Sequence, residues 1–336
     1  MSAEARTPRV LVTGAGGPSG ITILRAMPDA LATMFAGDID AYAAGLYLVP
    51  AERRVLLPRG DDPRLADELL AYCRREAVDV LVPTVDTELL PLARARERFA
   101  AAGVVVVVAS VETLAICLDK AVLAERCAGV VRVPATTVVG AAFDPADVPL
   151  PAIVKPRSGS GSRGIRLVER RAELEPLARD ETLLVQHYLP GPEYSLDVLA
   201  RGDGQVAAVV PRERLKVDSG IAVTGRTLHD DRLDVFARRV AEVIGLTTVA
   251  NVQVKGDVDG EPALLEVNPR FPGTMPLTVA SGVDMPRLAI GEALGRPIPD
   301  GPLPFEDIAM VRYFEERFFP FDDIADLLRH AARIAS

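Results

Sequence analysis

Short apolar runs alternate with amphipathic stretches through the first third of the chain. Residues 9–13 form an apolar run ending in the glycine turn Gly14-Ala15-Gly16-Gly17-Pro18-Ser19-Gly20, with a helix predicted from Ile21. A second strand is predicted over 34–40. A helix over 64–76 follows, then a strand over 78–83 and a helix over 88–101. The run 104–109 is apolar at every position, the pattern of a parallel strand covered on both faces. Strands alternating with helices predict a parallel, doubly wound sheet.

The pattern changes near Val111. Leu118-Asp119-Lys120 opens a new helix with Asp119 as its cap. Strands at 152–155 and 164–168 flank a glycine loop, and further strands are predicted at 183–187 and 193–200. Residues 211–216 alternate Arg212, Arg214 and Lys216 onto one strand face. Apolar spacing over 231–244 is helical. Residues 249–255 and 262–267 read as a hairpin turning near Asp259-Gly260. The stretch after Gly301 is rich in proline and phenylalanine and turns helical from Asp322. The fold class is therefore α/β, in more than one domain for 336 residues.

Composition narrows the function classes. A net charge of −9 with no basic face or tail excludes nucleic acid as an expected partner, since its binding rests on Lys and Arg neutralising phosphates. The longest apolar run, 104–109, is too short to span a bilayer, so no membrane is expected. Cys73, Cys117 and Cys127 are odd in number and lack metal-type spacing. They read as reduced, buried thiols of a cytoplasmic protein.

The candidate chemistry lies in two segments. Glu266-Val267-Asn268-Pro269-Arg270 puts a carboxylate and an amide oxygen on one face of a strand. Such oxygen donors suit Mg²⁺, which usually takes one or two carboxylates and completes its shell with water and substrate phosphates; Mn²⁺ is an acceptable substitute. Upstream, Lys155-Pro156-Arg157 and the run Ser158-Gly159-Ser160-Gly161-Ser162-Arg163-Gly164 offer a cation and a row of backbone N–H groups, which suit phosphate oxygens. Together they point to a nucleoside triphosphate with magnesium.

These residues, in this order, resemble the ATP-grasp superfamily, closest to its carbamoyl phosphate synthetase-like, pyrrolysine-ligase-like branch. The resemblance covers essentially the whole chain. It implies a Rossmann-like pre-ATP-grasp domain over 1–112, an N-terminal ATP-grasp lobe over 113–188 and a C-terminal lobe over 189–336. It implies that Lys120 and Lys155 reach the phosphates of ATP. A lone lysine is otherwise a solvated surface charge. Ser158 to Gly164 would be the flap over the triphosphate. Gln186, His187, Tyr188 and Leu189 would form the adenine hinge, bound mostly through backbone groups of Gln186 and Tyr188. Glu193 would take the ribose hydroxyls. Glu266 and Asn268 match the magnesium ligands, with Gln253 on the preceding strand where many relatives carry aspartate. Arg270 resembles the arginine that steadies the transferred phosphoryl group, and Arg214 would be the family's basic residue near the γ-phosphate or acceptor. A solvated edge strand is the competing reading for 211–216. The activity implied is a carboxylate–amine ligase acting on small molecules, as a homodimer.

Two features stay outside that reading. Gly14 and Gly16 fit a dinucleotide fingerprint with Asp38 or Asp40 as the acid, but Ser19 stands at the third glycine position. An NAD(P)-dependent oxidoreductase is therefore the rival function, and a non-catalytic ATP-binding regulator a third. Asp86 and Glu88 follow a predicted strand end, where open α/β sheets place ligands. Either could face an acceptor amine, and Asp86 reads more simply as a helix N-cap.

Overall fold

The computed structural model describes residues 6–159, 161, 163–177 and 180–334. The chain divides into two compact units. One comprises the residues up to Val111 with Arg270–Leu303 and those from Arg312; the other comprises Glu112–Pro269 and Pro304–Val311.

The first unit is built on a parallel sheet of β1 (Arg9–Val12), β2 (Thr33–Asp38), β3 (Arg54–Leu56), β4 (Val80–Val82) and β5 (Val105–Val106), in the order β3-β2-β1-β4-β5. Val10, Leu11, Val12, Val80, Leu81 and Val82 are wholly inaccessible, as expected of strands covered on both faces. The winding reverses between β1 and β4, the kind of position where open α/β sheets take ligands. The helix Pro18–Ala26 starts earlier than predicted, because proline is pre-set for the first helical position. Helices Met275–Ser281 and Met285–Ala293 belong to the same unit.

Three expectations are corrected here. The valine run supplies only a two-residue edge strand, with Val105 40% exposed. The helix over 88–101 is two helices, Asp86–Arg94 and Arg96–Ala100, interrupted at Ala95. Asp86 is not a cap: Val85 holds that position without a side-chain bond, and both Asp86 carboxylate oxygens accept from Arg270.

Glu88 is 2% exposed and accepts a 2.5 Å hydrogen bond from Thr13 Oγ1. Burial pushes its carboxyl up to about 7. A carboxyl raised on folding favours the folded state when protonated. Its contribution is present below the unfolded value of about 4.3 and lost as pH rises through 7. Denaturation of wild type and Glu88→Gln at pH 5 and pH 8 should show wild type losing more, by on the order of 3 kcal/mol. Equal losses would remove Glu88 as the source.

The second unit holds two antiparallel sheets. The smaller contains β6 (Thr136–Val138), β7 (Ala152–Pro156), β8 (Arg166–Val168) and β9 (Leu183–His187), in the order β6-β9-β7-β8. The larger contains β10 (Glu193–Ala200), β11 (Val206–Asp218), β12 (Ile221–Thr227), β13 (Val249–Gly256), β14 (Pro262–Asn268) and β15 (Ala309–Val311), in the order β14-β13-β10-β11-β12-β15. The helix Asp231–Ile244 begins at the Asp230 cap and ends at Gly245, whose φ of 65° is the left-handed stop. Leu233, Phe236, Val240 and Ile244 form its buried face and join the core under β10 and β13.

The expected basic face on β11 does not form. A register shift separates Arg214 from Lys216, and Arg212 is only 1% exposed. Its guanidinium donates to both oxygens of Asp197 at 2.9 and 2.5 Å, and Asn251 Nδ2 donates to Asp197 at 2.9 Å. Arg212 is thus a buried structural cation. Among the described residues no helix is long and apolar enough to cross a membrane. Cys73, Cys117 and Cys127 are free and buried, and burial pushes the Cys73 thiol up to about 12, which removes it as a thiolate nucleophile.

Candidate active site

The strand pleat explains the site. On β7, Ala152 and Val154 point into the core, so Ile153 and Lys155 face the other way and line a cleft of about 250 Å³. On β14, Val267 joins the core, which leaves Glu266 on the cleft side. Gln253 on β13 pairs in register with Glu266 and lines the same cleft. Glu193, the first residue of β10, completes one wall.

Two lysines enter with different environments. Lys120 is the first residue of the helix Lys120–Cys127, which Asp119 caps as predicted by accepting from Ala121 N at 2.9 Å. Asp119 also pairs with Arg157 at 2.6 Å, and Lys120 N donates to Arg157 O at 2.9 Å. The helix start is thereby tied to the loop after β7. Lys120 Nζ donates to Gly159 O at 2.8 Å and lies 3.4 Å from Glu266 Oε2. Lys155 is 5% exposed; its Nζ donates to Gln186 Oε1 at 2.9 Å and to Leu265 O at 3.3 Å. Gln186 is itself fixed, because its Nε2 donates to Thr136 Oγ1 at 2.9 Å.

Burial brings Lys155 down to about 8, opposed by the nearby Glu266 carboxylate and helped by the like charge of Lys120. The cation is therefore present below pH 8 and lost above it. Affinity for a phosphate-bearing anion held by Lys155, with ADP as the probe, should be flat to about pH 7 and weaken above pH 8, by about tenfold per pH unit at the steepest for one proton. Lys155→Arg should flatten the profile, since arginine does not titrate there. Isothermal titration of both proteins from pH 6 to 9.5 checks this; an unchanged profile in the arginine variant would assign the pH dependence elsewhere.

The apolar side of the cleft is formed by Ile153, Ile165, Leu189 and Leu265, beside His187 and Tyr188. An apolar slot opening onto two cations and a carboxylate has the amphipathic form that a purine nucleotide requires. Residues 10–107 match the family model described as the PylC-like N-terminal domain, and residues 179–316 match the model for ATP-grasp in the biosynthetic pathway with Ter operon. Residues 179–316 thus carry an ATP-grasp signature, in agreement with the resemblance read from the motifs.

Several known proteins resemble this chain. The arginine-specific large chain of carbamoyl phosphate synthase from Geobacillus stearothermophilus is 28% identical over 168 residues, 46% of this chain and 16% of that protein. The chain thus spans about one sixth of that relative. A biotin carboxylase–βγ-ATP complex from Campylobacter jejuni superposes with a TM-score of 0.73 at 19% identity, covering 87% of this chain and 72% of the other. The L-amino acid ligase from Bacillus licheniformis gives 0.68 at 18% identity, covering 86% and 75%. At these identities the structural likenesses establish the fold: the parallel sheet of the first unit and the paired antiparallel sheets of the second.

The structure gathers Lys120, Lys155, Ser158, Gly159, Gln186, His187, Tyr188, Leu189, Glu193, Gln253 and Glu266 around one cleft. Ser160 and Ser162 lie outside the described residues, and Gly161 is in the left-handed region at φ 73°. The Tyr188 backbone N–H is bonded to Pro151 O at 3.2 Å. Asn268 Nδ2 donates to Glu266 Oε1 at 3.2 Å. Arg214 does not line the cleft and sits against Glu193, with Nε 3.2 Å from Oε1. Arg270 belongs to the first unit, where Asp86 holds its guanidinium.

Lys255 was not anticipated. It lines the cleft, with Nζ 5.1 Å from the centre of the Tyr188 ring. Its position two residues beyond Gln253 was the available signal, since both share one strand face.

The donor set fits magnesium. Glu266, Asn268 and Gln253 carry hard oxygens with a single negative charge, a set that leaves positions for phosphate oxygens once both amides, whose nitrogens face Glu266, turn their oxygens to the cation. Among the described residues no cluster of three or more His, Cys, Asp or Glu competes as a metal site.

The glycine turn of the first unit is committed to packing. Asp38 Oδ2 accepts from Gly16 N at 2.8 Å. A Cβ on Gly16 would lie 2.7 Å from Ala43 Cβ, and one on Gly45 would lie 1.9 Å from Ala15 O. The segment around 43–45 therefore rests on the turn, and the Asp38 carboxylate is already engaged there.

Proposed function

We propose that this enzyme joins a small-molecule carboxylate to an amine, at the expense of ATP, through an acyl phosphate. The observation that carries the reading is the single cleft in which an apolar slot meets Lys120, Lys155 and the Glu266–Gln253 pair. The adenine occupies the slot beside Leu189 and Tyr188, and Glu193 takes the ribose hydroxyls. Lys120 and Lys155 supply preorganised positive charge to the phosphates. Glu266, Asn268 and Gln253 would hold Mg²⁺, or Mn²⁺, which spreads the charge of the transferred group.

A carboxylate oxygen attacks the γ-phosphorus, and the bond to the β–γ bridging oxygen breaks with its electron pair leaving on ADP. The amine nitrogen then attacks the acyl carbon, loses a proton, and phosphate departs with the second pair. No side-chain nucleophile is required. Arg270 steadies the phosphoryl group in this reading, and the loop 158–164 shields the acyl phosphate from water. A cytoplasmic homodimer is the proposed working form.

The test is ADP and phosphate release with Mg-ATP across amino acids and simple carboxylates, singly and in pairs, with product mass recorded. The expected result is turnover requiring an acid and an amine, with a product mass equal to their sum minus water. ADP release with an acid alone and no condensation product from any amine would overturn the amide-forming step.

A further inference from the structure

Glu266 is surrounded by donors. Asn268 Nδ2 reaches Oε1 at 3.2 Å, and Lys120 Nζ lies 3.4 Å from Oε2. The third neighbour, Gln253, can satisfy its surroundings in one orientation only. Its amide nitrogen then donates to Glu266 Oε1 and its oxygen accepts from Arg214 Nη1, both at 2.9 Å. The reverse orientation sets oxygen against carboxylate and N–H against guanidinium. Arginine, which has donors and no acceptor, thus decides which end of the amide faces Glu266.

Arg214 is well placed to impose that choice. Its side chain is 7% exposed, and Nη2 donates to Gly220 O at 3.0 Å. Nε sits 3.2 Å from Glu193 Oε1, yet is buried without a hydrogen-bond partner, so the contact is an ion pair out of alignment. Four side chains on four strands are linked in sequence: Glu193 on β10, Arg214 on β11, Gln253 on β13 and Glu266 on β14.

An amide holds a hard cation through its oxygen. Gln253 can serve a cation at Glu266 only after its amide turns, and turning places its NH₂ against Arg214. We propose that Arg214 and Gln253 form a latch that opposes metal capture until the nucleotide is bound, an inference that rests on Glu266 being the metal carboxylate. Capture of the cation turns Gln253 and displaces Arg214. Nucleotide engaging Glu193 loosens the opposite side of Arg214 and lowers the cost of that displacement. Linkage makes the effect reciprocal: nucleotide raises the affinity for the metal by the same factor as the metal raises the affinity for nucleotide. Arg214 acts here as a positioning residue, through Gln253.

Mn²⁺ binding to the full chain without nucleotide, followed by the paramagnetic resonance of the free ion, tests the latch. Arg214→Met should tighten Mn²⁺ binding about tenfold, the scale of one hydrogen bond to a charged group. The same change in a Gln253→Leu background, which has no amide to turn, should show only the effect of lost charge, roughly two- to threefold. The ratio of the two effects reads the coupling, and equal effects overturn the latch. Should Arg214→Met fail to fold, Gln253→Glu replaces it: a carboxylate offers oxygen to both neighbours without turning, so Mn²⁺ should bind at least about tenfold tighter, and unchanged binding overturns the proposal. Glu266→Ala, measured with ADP present, separates the two ideas. Mn²⁺ binding equal to wild type in that variant defeats the metal assignment together with the latch. Loss of binding there, with equal Arg214→Met effects, defeats the latch alone.

Discussion

Glu266→Ala should lower ADP formation at least about 10³-fold, which is about 4 kcal/mol of transition-state stabilisation, while leaving the fold intact. The carboxylate is 22% exposed in its side chain and faces the cleft, so its removal opens no core cavity. Its loss leaves Lys120 without the partner 3.4 Å away and Gln253 and Asn268 without their shared acceptor. It also removes the only carboxylate of the Glu266, Asn268 and Gln253 donor set, and metal affinity depends on ligand charge. Steady-state ADP release beside a thermal unfolding curve gives the answer. Turnover within tenfold of wild type would sink the metal assignment, and a collapsed unfolding transition would show that Glu266 supports the fold instead.

Arg212→Met should destabilise the second unit by roughly 3–5 kcal/mol, because it leaves the inaccessible Asp197 carboxylate without its cation. On a unit of this size that is a fall of roughly 10 °C in melting temperature. The paired replacement Asp197→Leu with Arg212→Met should recover most of the loss, since a buried ion pair can be exchanged for apolar side chains at little net cost. Chemical denaturation of the three variants and wild type decides it. A single variant as stable as wild type would mean that water reaches Asp197 and that the pair is not a closed core contact.

The two arginines of β11 show how far the sequence could be read. Alternation places Arg212 and Arg214 on one face, and it cannot say which neighbouring strand supplies their partners. Asp197 and Glu193 arrive on β10, 15 and 21 residues upstream, and Gln253 on β13. The resulting environments turn one arginine into a core cation and the other into a neighbour of the cleft. Asp86 is a similar case. Its position at the start of a helix suggests a cap, whereas Arg270, 184 residues away, takes both its oxygens.

Local order was legible wherever a motif and its geometry sit within one element. The strand alternation of Glu266 and Asn268, the glycine loop after Lys155, the Asp119 cap and the Asp230 to Gly245 helix follow from neighbouring residues and backbone preferences, which act over a few positions. The parallel sheet of the first unit is implied by alternating strands and helices for the same reason. Short strands such as β3 and β15 carry too few residues for a pattern and exist through their pairing. Charge state and side-chain orientation were likewise decided by tertiary structure. Lys155 is poised near pH 8 by burial, and the Gln253 amide is oriented by Arg214. Desolvation and hydrogen-bond direction depend on groups brought together from distant parts of the chain, and only the folded strands define them.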